Sequence, residues 1–263
     1  GARYDVVVGR SLGGELAAAL GPLGRGPLAL VTDWNVGPLH GDAVELVLRS
    51  TGRGVLRLTL PAGESRKELG PVLEAVDKLL DQGWERSAPL VALGGGVLGD
   101  MAGLVAALTL RGLPFVQMPT TLLAMVDSSV GGKVGVNHRS GKNLIGAFHQ
   151  PQLVWADLAF LDTLPDRELR AGLAEAVKTA LLLDADLLAL LEERPEAALA
   201  REPAVLAEIV RRCVAAKASV VAQDPREAGL RKILNLGHTL GHALERAAGY
   251  GALLHGEAVA IGL

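Results

Sequence analysis

The sequence has a single cysteine, Cys213, so no disulfide can form within the chain. It has no surplus of either charge: 26 Lys and Arg against 29 Asp and Glu leave a formal net charge of −3. That balance argues against a strongly basic nucleic-acid binder and against a polyacidic tail. A local basic pocket for a small anion is still compatible with it. A long apolar run is also missing. The longest stretch without a charged residue, 112–126, holds Pro114, Gln117, Pro119, Thr120 and Thr121. It falls short of the ~18–20 apolar residues that a membrane-spanning helix needs. With one cysteine and no signal-peptide pattern at its start, the chain is expected to be cytoplasmic. What it does have is apolar mass: 49% of its 263 residues are hydrophobic and 21% are charged. At roughly 100–200 residues per domain, that suits one large domain or two ordinary ones with a sizeable core.

Up to about residue 163, short β-rich runs alternate with helical ones. Strands are expected at 4–8, 28–32, 55–60, 90–93 and 115–118, and helices at 12–20, 65–82 and 101–110. The 65–82 helix would turn Leu69, Val72, Leu73, Val76, Leu79 and Leu80 to one side. Apolar strands alternating with helices predict a parallel sheet covered on both faces. After residue 163 the pattern becomes helical throughout, with helices expected at 165–183, 184–192, 203–221 and 231–248. The organisation is therefore an α/β domain over 1–163 and an all-α domain over 164–263. Residues 120–150 fit neither pattern and read as a long irregular loop, too apolar and glycine-rich for a solvated linker. The last residues stop inside an apolar, helical run, so the sequence is expected to be a fragment of a longer chain.

Three features carry chemistry. Gly94-x-Gly96-x-x-Gly99 lies between an expected strand and helix, where backbone amides bind phosphate and glycines let a diphosphate approach closely. Asp100 follows directly, and no acidic residue stands ~20 positions on as in the usual dinucleotide fingerprint. This carboxylate therefore suits a sugar or nicotinamide contact. His238 and His242 share one helical face, with His255 following and Glu175 on an earlier helix. Two histidines and one carboxylate make a catalytic metal set, although spacing does not say which histidines belong to it. Cations stand within the apolar, glycine-rich segments: Arg111, Lys133, Lys142, Lys178, Lys217 and Arg231. Of these, Lys133 after Val-Gly-Gly and Lys178, on the helical face of Glu175, best suit an anionic substrate. Asp127-Ser128-Ser129 lacks the Gly-x-Ser-x-Gly elbow of a serine nucleophile. Cys213 sits on an apolar helical face as core packing.

Seven ordered motifs resemble the 3-dehydroquinate synthase family. They are Gly94-Gly95-Gly96-Val97-Leu98-Gly99-Asp100, Pro119-Thr120-Thr121-Leu122-Leu123-Ala124, Val126-Asp127-Ser128-Ser129-Val130-Gly131-Gly132-Lys133, Gly141-Lys142-Asn143, Ala174-Glu175-Ala176-Val177-Lys178, Asn235-Leu236-Gly237-His238-Thr239-x-Gly241-His242 and His255-Gly256-Glu257-Ala258-Val259. The resemblance implies a Rossmann-like NAD-binding domain followed by a helical metal-binding domain. It implies a cytoplasmic, homodimeric enzyme of the shikimate pathway that uses NAD and Zn2+ or Co2+. Such an enzyme converts 3-deoxy-D-arabino-heptulosonate 7-phosphate to 3-dehydroquinate and phosphate by transient oxidation, elimination, re-reduction, ring opening and aldol closure.

Motif by motif, the resemblance implies Glu175, His238 and His255 as metal ligands. It implies proton handling by His242 and Glu227, with Lys133 and Asn143 also at the reacting centre. NAD contacts would be Asp33, Asn35, Glu64, Lys67, Gly95, Gly96, Val97, Asp100, Thr120, Thr121, Lys133, Lys142, Phe160 and Thr163. Substrate contacts would be Asp127, Lys133, Asn143, Lys178, Lys217, Arg231, Asn235 and His242, with Arg111 supplied by a second copy. A related sugar-phosphate cyclase, a metal-dependent polyol dehydrogenase and a non-catalytic metabolite-binding module are the competing readings. The first shares cofactor and metal, the second would release NADH, and the third would bind without turnover.

Overall fold

The computed structural model describes residues 3–249 and 252–263. They form two compact units, one of residues 3–120 and 132–157, the other of residues 121–131 and 158–263.

The first unit is built on a six-stranded sheet of β1 (Asp5–Gly9), β2 (Leu28–Asp33), β3 (Val55–Leu60), β4 (Leu90–Gly94), β5 (Phe115–Pro119) and β8 (Leu153–Asp157), in the order β1-β8-β5-β4-β2-β3. Every pairing is parallel. The four inner strands are buried along their whole length, which is why they are predominantly apolar, with Thr32, Asp33, Gln117 and Asp157 as buried polar exceptions. Strand β8 is an addition to the expected set. Helices α1 (Gly13–Leu20), α2 (Asp42–Arg49), α3 (Leu69–Asp81) and α4 (Gly96–Leu108) connect the strands. One core joins Val31, Ala92 and Phe115 of the sheet to Val72, Ala75 and Leu79 of α3 and Met101 and Val105 of α4. A fully buried side chain of this size contributes on the order of 1.5–3 kcal/mol.

Three expectations between residues 65 and 150 need correction. The 65–82 helix is a 3-10 turn, Glu64–Arg66, followed by α3. Glu68 is extended at φ −124°, ψ 163°, and Pro71 falls in the first turn of α3, where a missing N–H removes no helical bond. The buried face is Val72, Ala75 and Leu79, while Leu73 and Leu80 are each 45% exposed. Helix α4 starts at Gly96 rather than at residue 101, so the glycine motif supplies its first turn. Residues 120–150 are not irregular. A π-helical turn, Ala124–Ser128, is followed by an antiparallel hairpin of β6 (Lys133–His138) and β7 (Gly141–Phe148). Val134 and Val136 of the hairpin join the core.

The second unit holds α5 (Asp166–Leu183), α6 (Ala185–Glu193), α7 (Pro195–Leu199), α8 (Pro203–Gln223), α9 (His238–Ala248) and α10 (His255–Gly262). Helix α7 was not expected. The single helix expected over 231–248 divides into a 3-10 turn, Leu230–Asn235, and α9. Between them Gly237 is left-handed, at φ 79° and ψ −22°, a conformation that glycine adopts without Cβ strain. The turn makes His238 the first residue of α9. Helix α10 packs on α5 through Gly256, where a Cβ would lie 1.9 Å from the carbonyl oxygen of Ala171. No helix among the described residues is long and apolar enough to cross a membrane.

Cys213 is fully buried on α8. Burial pushes its thiol up to about 12, with the Asp127 charge adding to the effect. The thiolate is the reactive form. The folded protein is therefore expected to resist alkylation at neutral pH, with full labelling only in denaturant, as read by intact-mass measurement.

Candidate active site

In the first unit, the cofactor candidates gather at the carboxyl ends of adjacent parallel strands, where open α/β sheets bind ligands. Thr120 follows β5, Gly95 and Gly96 follow β4, Asp33 ends β2, and Glu64 and Lys67 follow β3. Asp33 Oδ1 accepts the N–H groups of Asn35 and Val36, each at 2.8 Å, and so fixes the turn beyond β2. The buried ammonium of Lys67 donates to Asp100 Oδ2 and to Asn143 Oδ1, both at 2.6 Å. Lys142 Nζ lies 3.4 Å from Glu64 Oε1. Burial opposes ionisation of Glu64, but Lys67 and Lys142 outweigh it and hold the carboxyl below its usual range. Val97 stands in the first turn of α4, and Lys133 opens β6 as an exposed residue. Arg111 is set apart from this group. It follows α4, exposed and left-handed at φ 65°, ahead of β5.

The second unit holds the other candidates. His238 and His242 of α9 and His255 of α10 converge, each with a ring nitrogen within 4.8 Å of the others'. Ring centroids are 5.4 Å apart for His238–His242, 5.0 Å for His238–His255 and 5.8 Å for His242–His255. Glu175 of α5 reaches the same point. Its Oε1 lies 3.5 Å from His255 Nε2 and 3.9 Å from His238 Nε2. Its Oε2 pairs with the Lys178 ammonium one turn along α5. Glu175 is completely buried, and Oε1 has no hydrogen-bond donor. An orphaned buried carboxylate oxygen is costly unless a cation satisfies it. Three imidazoles and this oxygen form the donor set that zinc or cobalt takes, so the residues present fit a divalent metal. Burial, together with the Lys178 charge, lowers the His238 imidazole, which favours the neutral form that binds metal.

A cationic run adjoins the metal cluster. Lys217 Nζ donates to the Asp127 carbonyl oxygen at 2.7 Å and pairs with Asp127 Oδ1 at 2.6 Å. Burial alone would raise the Asp127 carboxyl, but Lys217 and Lys178 hold it well below the carboxylate range. Burial lowers the Lys217 ammonium despite Asp127. Lys178 is held up against its own burial by Asp127 and Glu175. Buried Arg231 donates to Gly131 O at 3.1 Å and to Pro225 O at 2.9 Å. Asn235 Nδ2 donates to Glu227 Oε1 at 3.1 Å, and both residues line a cleft of about 690 Å3. Thr121, Phe160 and Thr163 belong to this unit as well.

The structure adds three residues that motif reading passed over. Asp224 accepts the N–H groups of Ala228 and Gly229 at 2.8 Å and of Arg231 at 3.0 Å, which shapes the loop carrying Glu227 and Arg231. Buried Glu245 places Oε1 3.5 Å from His255 Nδ1. It stands seven residues after His238, so the helical period of α9 was the available signal. Arg167 of α5 clamps Glu257 with bonds of 2.6 and 2.7 Å, and Glu257 accepts the Leu254 N–H at 2.9 Å. That clamp fixes the first turn of α10, where His255 stands.

The 3-dehydroquinate synthase N-terminal family model matches residues 57–171, and the 3-dehydroquinate synthase C-terminal model matches residues 172–263. A curated 3-dehydroquinate synthase from Acidithiobacillus ferrooxidans is 51% identical over 99% of this chain and 71% of its own length. Among solved structures, the 2-epi-5-epi-valiolone synthase of Streptomyces hygroscopicus, with NAD+ and Zn2+ bound, superposes with a TM-score of 0.92 at 37% identity, over 100% of this chain and 73% of its own. A 2-deoxy-scyllo-inosose synthase, complexed with carbaglucose-6-phosphate, NAD+ and Co2+, gives 0.92 at 31% identity, over 98% of this chain and 70% of its own.

Proposed function

We propose, since this chain belongs to the 3-dehydroquinate synthase family, that it converts 3-deoxy-D-arabino-heptulosonate 7-phosphate to 3-dehydroquinate and inorganic phosphate. The observation that carries the assignment is the convergence of His238, His242 and His255 on the buried carboxylate of Glu175, beside a run of cations. Glu175, His238 and His255 are the metal ligands in this reading, and Asp33, Glu64, Lys67, the Gly95–Gly96 turn, Asp100 and Lys142 hold NAD. Held there, NAD would supply reversible hydride-transfer chemistry for a secondary alcohol, and zinc or cobalt would supply Lewis acidity.

The chain's own groups do the rest. Lys178, Lys217 and Arg231 supply fixed positive charge for an anion that bears both a carboxylate and a phosphate. The His242 imidazole and the Glu227 carboxylate take up and return the protons of the redox and ring-opening steps. Oxidation of the alcohol acidifies the neighbouring C–H, and the departing phosphate is itself a base. The elimination therefore needs no further strong base from the protein. The enzyme works in the cytoplasm as a homodimer, with Arg111 serving the substrate of the second copy.

Phosphate release from 3-deoxy-D-arabino-heptulosonate 7-phosphate tests this, with NAD and zinc or cobalt present and NADH absorbance followed. Chelator-sensitive phosphate release with no accumulating NADH is expected, and 3-dehydroquinate is the product. A chain that instead releases phosphate only from sugar phosphates lacking a carboxylate belongs with the cyclases that share its fold. Steady NADH from a simple polyol, with no phosphate released, would remove the assignment.

A further inference from the structure

Asn137, on β6, is absent from every motif that points to function, yet it makes four hydrogen bonds that join distant segments of the first unit. Its Nδ2 donates to Glu64 Oε1 at 2.8 Å, a residue 73 positions earlier, and to Glu64 O at 3.4 Å. Its own N–H donates to Lys67 O at 2.8 Å. Its Oδ1 accepts the N–H of Asn143 at 2.9 Å. The amide has one workable orientation here, because a carboxylate only accepts and a backbone N–H only donates. Asn143 is left-handed, at φ 55°, and in that conformation its Oδ1 accepts from Lys67 Nζ at 2.6 Å. A non-glycine residue is held there only when its surroundings over-determine it.

We infer that Asn137 is a positioning residue whose carboxamide locks the Glu64–Lys67 turn to the hairpin residues Lys142 and Asn143, so that dinucleotide and substrate contacts are set together. The inference rests on the NAD and substrate assignments above. Glu64 and Lys67 come from the segment after β3, and Lys142 and Asn143 from β7. Asn137 touches both segments with bonds that run in opposite senses. Removing it frees the Glu64 carboxylate to swing toward Lys142 and releases Asn143 from its left-handed conformation.

The test is NAD titration of the full chain loaded with zinc, alongside chelator competition for zinc, thermal melting and steady-state kinetics. Asn137→Ala is expected to raise the NAD dissociation constant about tenfold, on the scale of one lost hydrogen bond to a charged group. It is also expected to raise KM for NAD and to lower kcat, with zinc affinity unchanged. Asn137→Asp keeps the acceptor for Asn143 but sets a second carboxylate against Glu64, so it weakens NAD at least as much. It also serves if the alanine variant does not fold. Combining Asn137→Asp with Glu64→Gln restores a donor–acceptor pair of reversed polarity and should bind NAD more tightly than Asn137→Asp alone. Parental NAD affinity in both Asn137 variants, while Lys67→Ala loses it, would overturn the inference and leave the cofactor assignment standing. Equal loss of NAD and zinc together with a lower melting temperature would reduce Asn137 to a structural role. NAD binding indifferent to Lys67→Ala would remove the cofactor assignment, and the inference with it.

Discussion

Glu175→Ala and His255→Ala are each expected to abolish zinc binding while leaving NAD affinity nearly unchanged. The first half follows from the donor set. Glu175 Oε1 is the one anionic atom among the converging ligands, lying 3.5 Å from His255 Nε2, and it is fully buried with no hydrogen-bond donor. Losing an outer-shell partner of a metal site typically costs about 10–100-fold in affinity, and losing the only charged ligand should exceed that. The second half follows from the fold. The residues assigned to NAD stand mainly at the carboxyl ends of β2, β3, β4 and β5, on a separate core from α5, α9 and α10. Glu175→Gln is the control for volume, since it keeps the packing and removes the charge. His242→Ala separates the two roles open to the third imidazole. It should retain zinc and lose turnover, whereas loss of zinc would make His242 a ligand. Competition with a chromogenic chelator reads the metal, and calorimetry reads NAD. Parallel loss of both in the Glu175 variants would break the division of labour between the units.

The sequence carried five of the six strands of the sheet, since burial leaves a record in composition, but it did not reveal β8, which is just as buried. Residues 28–31 and Leu90–Gly94 are buried throughout and made of apolar or small residues, as such a place favours. The hairpin left no such record. Lys133–Phe148 mixes Gly, Lys and Asn with valines, and only Val134 and Val136 enter the core, with Ile145 and Ala147 half-buried against it, so its alternation is short and broken. The division at Gly237 was hidden for a different reason. Helical spacing continues on either side of it, and the left-handed turn depends on one glycine among many. For the candidate site, motif order supplied most of the residues, since each motif is local. What it missed lies outside the motifs. Asn137 meets Glu64 from 73 positions away, which no spacing rule predicts, Asp224 shapes the loop of Arg231 through backbone N–H groups, and Glu245, which faces His255, was signalled only by the helical period of α9.

Lys217→Met is expected to destabilise the protein by about 3 kcal/mol and to reduce phosphate release on the order of 100-fold. The stability cost arises because Asp127 loses the ammonium that sits 2.6 Å from its Oδ1, and the same ammonium ceases to serve the Asp127 carbonyl at 2.7 Å. Lys178 continues to favour the charged carboxylate and the Asp127 side chain is itself 27% exposed, which together keep the cost at the low end of the range for a broken buried pair. The pair also dictates a pH response. Asp127 is held well below its ordinary value of 3.8. Its stabilising contribution is therefore complete above that value and is lost only as the pH falls further, through the folded-state titration. Denaturant midpoints should show no pH dependence from this pair between pH 7 and pH 5. On the alkaline side the order reverses. Burial lowers Lys217, so it releases its proton before an exposed lysine does, while Lys178 keeps its own. Substrate affinity should accordingly weaken first through Lys217 as the pH rises, and Lys217→Arg, which stays protonated, should flatten that limb even if its geometry lowers the rate. A Lys217→Met protein as stable as the parent would mean that Lys178 alone suffices for Asp127. The 2.6 Å contact would then be a substrate-binding device carried at no structural gain.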